Sequence, residues 1–279
     1  MSSLSLLGLF AHPDDEQVLS GSFAQAAAEG IRTGLVCATR GEAGEIADPS
    51  LATKETLGRV REAELRAACA VLGIKYLWFL DYRDSGMMGT PENDGPAAFY
   101  RADEGEALGK IVKIVREFKP TVMVTFDPNG GYGHPDHLAI HRLASTAFSA
   151  AADPQAYADA GEPWQAARLY YGAFPRSAMR KLVDFMEAEN LDTSFRSLDP
   201  EKFGIPDEEI TNVVDVAEWV AVKQRSLSHH RTQMDPNVPW IRMSQEEGQA
   251  FRSKEYFVLA AGVPLPDTPE ARGDLFAGL

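Results

Sequence analysis

The feature that most restricts the fold is an alternation. Short apolar runs are separated by longer segments of helical periodicity. Leu4–Phe10, Ile31–Thr39, Tyr76–Leu80 and Thr121–Phe126 are brief, apolar and bounded by turn residues, so each reads as a buried strand. Between them lie helical patterns over Glu16–Glu29, ended by Gly30, over Thr53–Leu72, ended by Gly73, and over Glu104–Phe118, followed by Pro120. A further helix over His137–Ala152 follows the fourth run. The order βαβαβαβα predicts an α/β fold with a mostly parallel sheet, right-handed crossovers and helices on both faces.

Beyond this half, Ala167–Phe174, Asn212–Val216 and Tyr256–Ala260 read as strands, and Arg176–Asn190 and Ala217–His230 as helices. Leu191–Ile210 reads as loop. Asp81–Asp103 holds Gly86, Gly89, Pro91, Gly95 and Pro96 without a clear period, the mark of a lid or binding loop. No repeat or linker divides the chain. One domain is therefore expected over 1–263, with a loosely ordered tail over 264–279. At 279 residues and 44% hydrophobic content the chain can bury a sizeable core.

Composition excludes some partners. A net charge of −14 disfavours nucleic acid and anionic membranes. Cys37 and Cys69 sit inside apolar patterns and read as small buried residues. The N-terminus lacks a basic leader, and no apolar run is long enough to span a bilayer, so a cytoplasmic protein is expected.

The chemistry concentrates where two strands hand over to helices. The first strand leads into Ala11-His-Pro-Asp-Asp-Glu16, and the fourth leads towards His134-Pro-Asp-His137. In open α/β sheets, ligands bind at the carboxyl ends of strands. His12 and Asp15 are three residues apart, and so are His134 and His137. A lone His-Pro-Asp segment is usually a turn with a capping acid. Two of them at strand ends make a set for a metal hydrolase, since catalytic zinc takes three His or carboxylate ligands plus water. His12, Asp15 and His137 would hold Zn²⁺, and Asp14 would be the general base. His134 would be the electrophilic partner or general acid, Tyr132 a donor to the oxyanion, and Asp136 would orient a histidine. His141 reads as a surface or supporting residue.

These two motifs resemble those of the LmbE-like, GlcNAc-PI de-N-acetylase family of zinc-dependent deacetylases. Tyr82-Arg-Asp-Ser-Gly-Met87, Asp127-Pro-Asn-Gly-Gly-Tyr-Gly133, His230-Arg-Thr-Gln233 and Glu255-Tyr-Phe-Val-Leu259 carry the likeness further. They point towards the bacterial enzymes that deacetylate the glucosaminyl precursor of mycothiol or bacillithiol. The resemblance implies a Rossmann-like three-layer fold, a glucosaminyl small-molecule substrate, and a homo-oligomer paired through the C-terminal region. It also implies substrate contacts from Arg61 and Asp84, with His230 supporting the site from behind. Against these stand plainer readings: Arg61 as an i,i+3 partner of Glu64, and Met87 and Met88 as plugs for a core gap.

The resulting expectation is hydrolysis of an N-acetylglucosamine acetamide to acetate and free amine. A zinc amidase cleaving thiol S-conjugates is the nearest alternative. A non-catalytic sugar- or nucleotide-binding Rossmann-like domain is an alternative of another class, disfavoured because the first strand leads into His-Pro-Asp-Asp and not G-x-G-x-x-G. The aglycone, inositol or malate, stays open, because Arg40, Arg61, Arg83 and Arg101 all fall near the expected cleft.

Overall fold

A computed structural model of the chain describes residues 4–191, 199–236 and 238–279. The strands are β1 Ser5–Phe10, β2 Arg32–Cys37, β3 Tyr76–Phe79, β4 Val122–Phe126, β5 Arg168–Ala173, β6 Asn212–Asp215 and β7 Lys254–Gly262. They form one sheet in the order β3-β2-β1-β4-β5-β7-β6. Strands β1 to β5 pair in parallel, while β7 runs antiparallel to both β5 and β6. The main helices are α1 Ser20–Ala28, α2 Leu57–Leu72 and α3 Glu104–Phe118. After a short turn, α4 Gly130–Gly133, come α5 Pro135–Ala150, α6 Arg176–Ala188, α7 Pro200–Phe203, α8 Val220–Leu227, α9 Pro239–Arg242 and α10 Gln245–Arg252.

This is the α/β, Rossmann-like architecture that the alternation predicts. The strand order reverses between β1 and β4, which creates the crevice where such sheets bind ligands. Every residue of β1 is buried, and its Leu6, Leu7, Leu9 and Phe10 join Phe23, Leu35, Ile111, Val122 and Ile140 in one continuous core. Full burial of a side chain of this kind contributes about 1.5–3 kcal/mol. The core therefore holds the carboxyl ends of β1 and β4 side by side. Among the described residues no helix is long and apolar enough to cross a membrane.

Several boundaries differ from expectation for local reasons. The first helix opens as a 3-10 turn over Asp15–Leu19 before α1 begins, because the Asp15 and Glu16 side chains bond backbone there. Helix α5 starts two residues early: Pro135 occupies its first position and the His134 ring accepts the Asp136 amide at 3.2 Å. The long loop after β3 is folded on itself by 3-10 turns at Pro91–Asp94 and Phe99–Arg101 and by pairing of Arg83 with Ala98.

The expected loop over Leu191–Ile210 lies partly outside the described residues. The rest contains α7 and a 3-10 turn at Asp207–Glu209. The tail is not loose. Arg168, fully buried at the start of β5, donates to the carbonyls of Val263, Pro264, Leu275 and Ala277. One guanidinium thus satisfies four carbonyls, and Leu275 packs into the core.

Candidate metal centre

Both motifs arrive at the crevice on the ends of core strands. Past β1, the Ala11 and His12 amides donate to Asp15 Oδ2 at 3.1 and 2.7 Å. This closes a tight turn and fixes the Asp15 carboxylate. Past β4, Asp127 performs the same task. It accepts the amides of Asn129 at 2.6 Å and Gly131 at 3.2 Å. Gly130 lies at φ +61°, and a Cβ there would come within 2.8 Å of His137 Cβ, so only glycine lets the turn press against the start of α5. The Gly130 carbonyl lies 3.0 Å from His137 Nδ1. The proton therefore belongs on Nδ1, and Nε2 is left as a free lone pair facing the crevice.

Three side chains meet there. His12 Nδ1 lies 3.1 Å from His137 Nε2 and 3.5 Å from Asp15 Oδ2, and His137 Nε2 lies 3.3 Å from Asp15 Oδ1. The other His12 nitrogen, Nε2, faces Asp136 Oδ2 at 3.3 Å and Asp84 Oδ1 at 3.5 Å. The His134 ring stands edge-on to His12, with centroids 4.6 Å apart. Among the described residues two triads have donors mutually within 4.8 Å: His12, His134 and His137, and His12, Asp84 and Asp136; the expected ligand Asp15 is in neither, though its oxygens lie 3.5 Å from His12 and 3.3 Å from His137. All five side chains of the two triads are buried, and Asp136 Oδ1 has no hydrogen-bond partner among the described residues. A buried orphan oxygen beside clustered carboxylates and imidazoles suits a cation.

The electrostatics agree. Burial works against charge on His12, yet Asp84, with Asp136 and Asp15, raises its pKa well above the ordinary value. Burial would raise Asp15, but His137 and His12 hold it well below the usual carboxylate range. Asp14 moves the other way: burial raises it, Arg61 opposes the rise, and Asp15 adds to it. Two adjacent carboxyls pushed apart in this way suit two different roles. Burial, then the neighbouring His12 and His137, push His134 down to about 3, so it is neutral at pH 7. Burial pushes the Tyr132 hydroxyl up, keeping its proton. The Tyr132 ring packs against His137 at 5.0 Å.

The remaining expected residues also converge, with changed surroundings. Arg61 is 4% exposed and lies under the first turn. Its guanidinium donates to the Gly41 and Pro13 carbonyls and, at 3.1 Å, to Asp14 Oδ2. Glu64, its plainer partner, instead accepts from the amide and hydroxyl of Thr232. Asp84 accepts the amides of Gly86 and Ala43, and its Oδ1 faces His12. Met87 and Met88 are 46% and 58% exposed, so neither plugs a core gap. His141 is half-buried, its Nδ1 2.8 Å from the Phe126 carbonyl.

His230 lies behind the site, with Nε2 2.7 Å from Glu16 Oε1. Burial lowers the charge preference of His230, but Glu16 more than restores it. Glu16 itself is absent from the expected site set. At sequence level it reads as one more helix-start acid, and its partner is 214 residues away.

Comparison with known proteins places these features in a family. The model of the family described as "PIG-L: GlcNAc-PI de-N-acetylase" matches residues 7–148. A 1D-myo-inositol 2-acetamido-2-deoxy-alpha-D-glucopyranoside deacetylase of Thermobispora bispora is 41% identical, with 100% of each chain covered. The protein of the same name from Geodermatophilus obscurus is also 41% identical, over 99% of this chain and 98% of that one. Among solved structures, N,N'-diacetylchitobiose deacetylase from Pyrococcus horikoshii superposes with a TM-score of 0.65 at 20% identity. It covers 95% of this chain and 86% of the other.

Proposed function

Because this chain belongs to the GlcNAc-PI de-N-acetylase family, we propose that it is a zinc-dependent N-deacetylase acting on an N-acetylglucosaminyl inositol, releasing acetate and a free amine. The observation that carries this reading is the convergence of His12 Nδ1, His137 Nε2 and the Asp15 carboxylate at 3.1–3.5 Å from one another. Donors on a tetrahedral zinc at about 2.1 Å would stand about 3.4 Å apart, close to the spacing of His12 Nδ1 from His137 Nε2 and of each from one Asp15 oxygen, Oδ2 for His12 and Oδ1 for His137. Asp136 behind His12 and the Gly130 carbonyl behind His137 supply the outer hydrogen bonds that metal-bound histidines need. Bound there, zinc supplies Lewis acidity towards water and the acetyl carbonyl.

The chain's own groups divide the rest of the work. Asp14 is 32% exposed at the crevice, so it can meet a water and take its proton as general base. Arg61 holds that carboxylate in place and favours its ionised form. His134 uses Nδ1 as an acceptor for the Asp136 amide, so its proton sits on Nε2. Neutral and donating, it stabilises the oxyanion of the tetrahedral intermediate, with the protonated Tyr132 hydroxyl as a second donor. Asp84 lies beside His12 and would accept a sugar hydroxyl. Arg61 acts on the substrate through the turn that it holds.

An open cavity of about 470 Å³ lined by Arg40, Glu42, Lys54, Arg59, Glu62 and Arg83 is a candidate for the aglycone. Cations and carboxylates alternate there, which offers both donors and acceptors to hydroxyl groups. The inositol is favoured over a malate by the relatives' own names, which specify a myo-inositol glycoside.

The test is a panel assay on the zinc-loaded chain, following amine release from glucosaminyl-inositol and glucosaminyl-malate acetamides and from an S-conjugated analogue. Metal content is measured on the same sample. The inositol acetamide should turn over fastest, and Asp14→Ala should keep its zinc while losing turnover. Preference for the S-conjugate would make the protein an amidase of thiol conjugates. A chain that binds no metal and turns over nothing would be a sugar-binding domain.

A further inference from the structure

We infer that Glu16 and His230 form a buried positioning pair that holds the backbone of Asp14 in its working conformation. This rests on the assignment of Asp14 as the general base. Asp14 is a non-glycine residue at φ +107° and ψ −21°, outside the regions that L side chains ordinarily adopt. Such a conformation persists only where surrounding bonds over-determine it. Its carboxylate is held by Arg61 and its carbonyl accepts the Gln17 amide at 3.0 Å. Its own amide donates to Glu16 Oε2 at 3.0 Å. That bond fixes the peptide plane between Pro13 and Asp14, and hence the direction in which the Asp14 side chain leaves the turn.

Glu16 is fully buried and its second oxygen has no other duty than anchorage. Glu16 Oε1 accepts from Gln17 Nε2 at 2.7 Å and meets His230 Nε2 at 2.7 Å. His230 is 1% exposed, and its Nδ1 has no partner among the described residues. It is itself fixed from the far end of the chain. Thr232 bonds Glu64 on α2 and accepts the Ala47 amide, while Gln233 donates to the Glu45 carbonyl. The order of support therefore runs from α2 and the loop after β2, through the turn following α8, to His230, Glu16 and the Asp14 amide. Neither Glu16 nor His230 faces the donor cluster. Their effect on turnover passes through the orientation of the base.

The test uses the full-length, zinc-loaded protein with two substitutions at Glu16 and one at His230. Glu16→Met keeps length and removes the acceptor. Glu16→Gln keeps an oxygen for the Asp14 amide and an NH₂ for the other His230 tautomer. His230→Phe leaves the Glu16–Asp14 bond but frees its anchor. Glu16→Met should lower kcat on the order of 10²-fold, as displaced catalytic groups do, with KM and zinc stoichiometry unchanged. Glu16→Gln should recover to within several-fold of wild type, and His230→Phe should fall between them.

An activity-independent readout is the Asp14 amide in ¹⁵N-labelled protein, whose hydrogen exchange should accelerate in Glu16→Met and not in Glu16→Gln. Should Glu16→Met fail to fold, His230→Phe carries both readouts. A folded, zinc-loaded Glu16→Met with wild-type kcat overturns the inference. So does a loss of zinc that accounts for the whole drop, or an unchanged Asp14 amide. A wild type without deacetylase turnover, but with the expected amide behaviour, would count against the proposed reaction and leave the pair's role on the turn standing.

Discussion

Replacing Arg61 with lysine tests whether the first motif is held from below. The guanidinium spans two walls: Nη1 donates to the Gly41 carbonyl, and Nη2 to the Pro13 carbonyl and Asp14 Oδ2. A lysine ammonium is a single point of charge and cannot bridge both. One bond from a charged donor is worth about 1.5–3 kcal/mol, and a buried carbonyl left unpaired costs about 1–3 kcal/mol more. Lysine remakes part of this, so a net loss of about 3 kcal/mol is expected. At roughly 2–4 °C per kcal/mol for a chain of this size, Tm falls by roughly 6–12 °C.

The larger effect is on turnover, because the lost contacts are those that fix Asp14. A shift of the base by about 1 Å lowers kcat/KM on the order of 10²-fold. The assay pairs a thermal melt with steady-state amine release on zinc-loaded protein. A variant with near-wild-type Tm and kcat/KM would refute the view that Arg61 props the turn.

Other outcomes follow from the same geometry. Stripping the protein with a chelator should abolish amine release, and zinc should restore it; activity that survives in demonstrably metal-free protein would contradict the donor assignment. Gly130→Ala should weaken zinc binding by roughly 10–100-fold, since a Cβ would press on His137 and disturb the bond that orients its ring. Competitive chelation measures this, and wild-type affinity would count against the role of the turn. The bond from Arg40, against opposing burial, depresses the Glu62 carboxyl below its ordinary 4.5. Its stabilisation is therefore present above pH 4.5 and lost as pH falls through 4.5 towards the lower folded value. In urea melts, wild type should exceed Glu62→Gln by about 0.5–1 kcal/mol at pH 7. That gap should close in acid, and a gap independent of pH would refute the coupling.

Much of the centre is legible in the sequence because local spacing encodes it. His12 and Asp15 are three positions apart, as are His134 and His137, and each motif follows an apolar run that reads as a strand. The family resemblance extends this to Asp84 and Arg61. Legibility stops where partners are remote. Glu16 looks like an ordinary acid in a first helical turn, and nothing near it in sequence announces His230. Lys223 and Ser22 are equally silent, and the likeness at Glu255 names no partner for it, yet the Glu255 carboxylate accepts from Gly21, Ser22 and Lys223 and ties β7 and α8 to the start of α1. The backbone of Asp14 is hidden for another reason: aspartate tolerates a left-handed backbone less readily than glycine, so its positive φ is set by surrounding bonds and not by its identity. The reversed direction of β7 follows from long-range pairing with β5 and β6, to which a periodicity is blind.

The Arg168 clasp bears on how this protein can be handled. Arg168 stands at the amino end of β5, opposite Val122 at the amino end of β4, whereas the donor cluster lies at the carboxyl ends of β1 and β4. The last residues are drawn under the floor of the sheet, on the side away from the crevice. A surface tether or fluorescent label joined at Leu279 would leave the crevice facing outward, which suits immobilised assays of slow substrates. Trimming the chain before Leu275 is a different matter. It would strip the buried Arg168 of the Leu275 and Ala277 carbonyls, two of the four that it donates to.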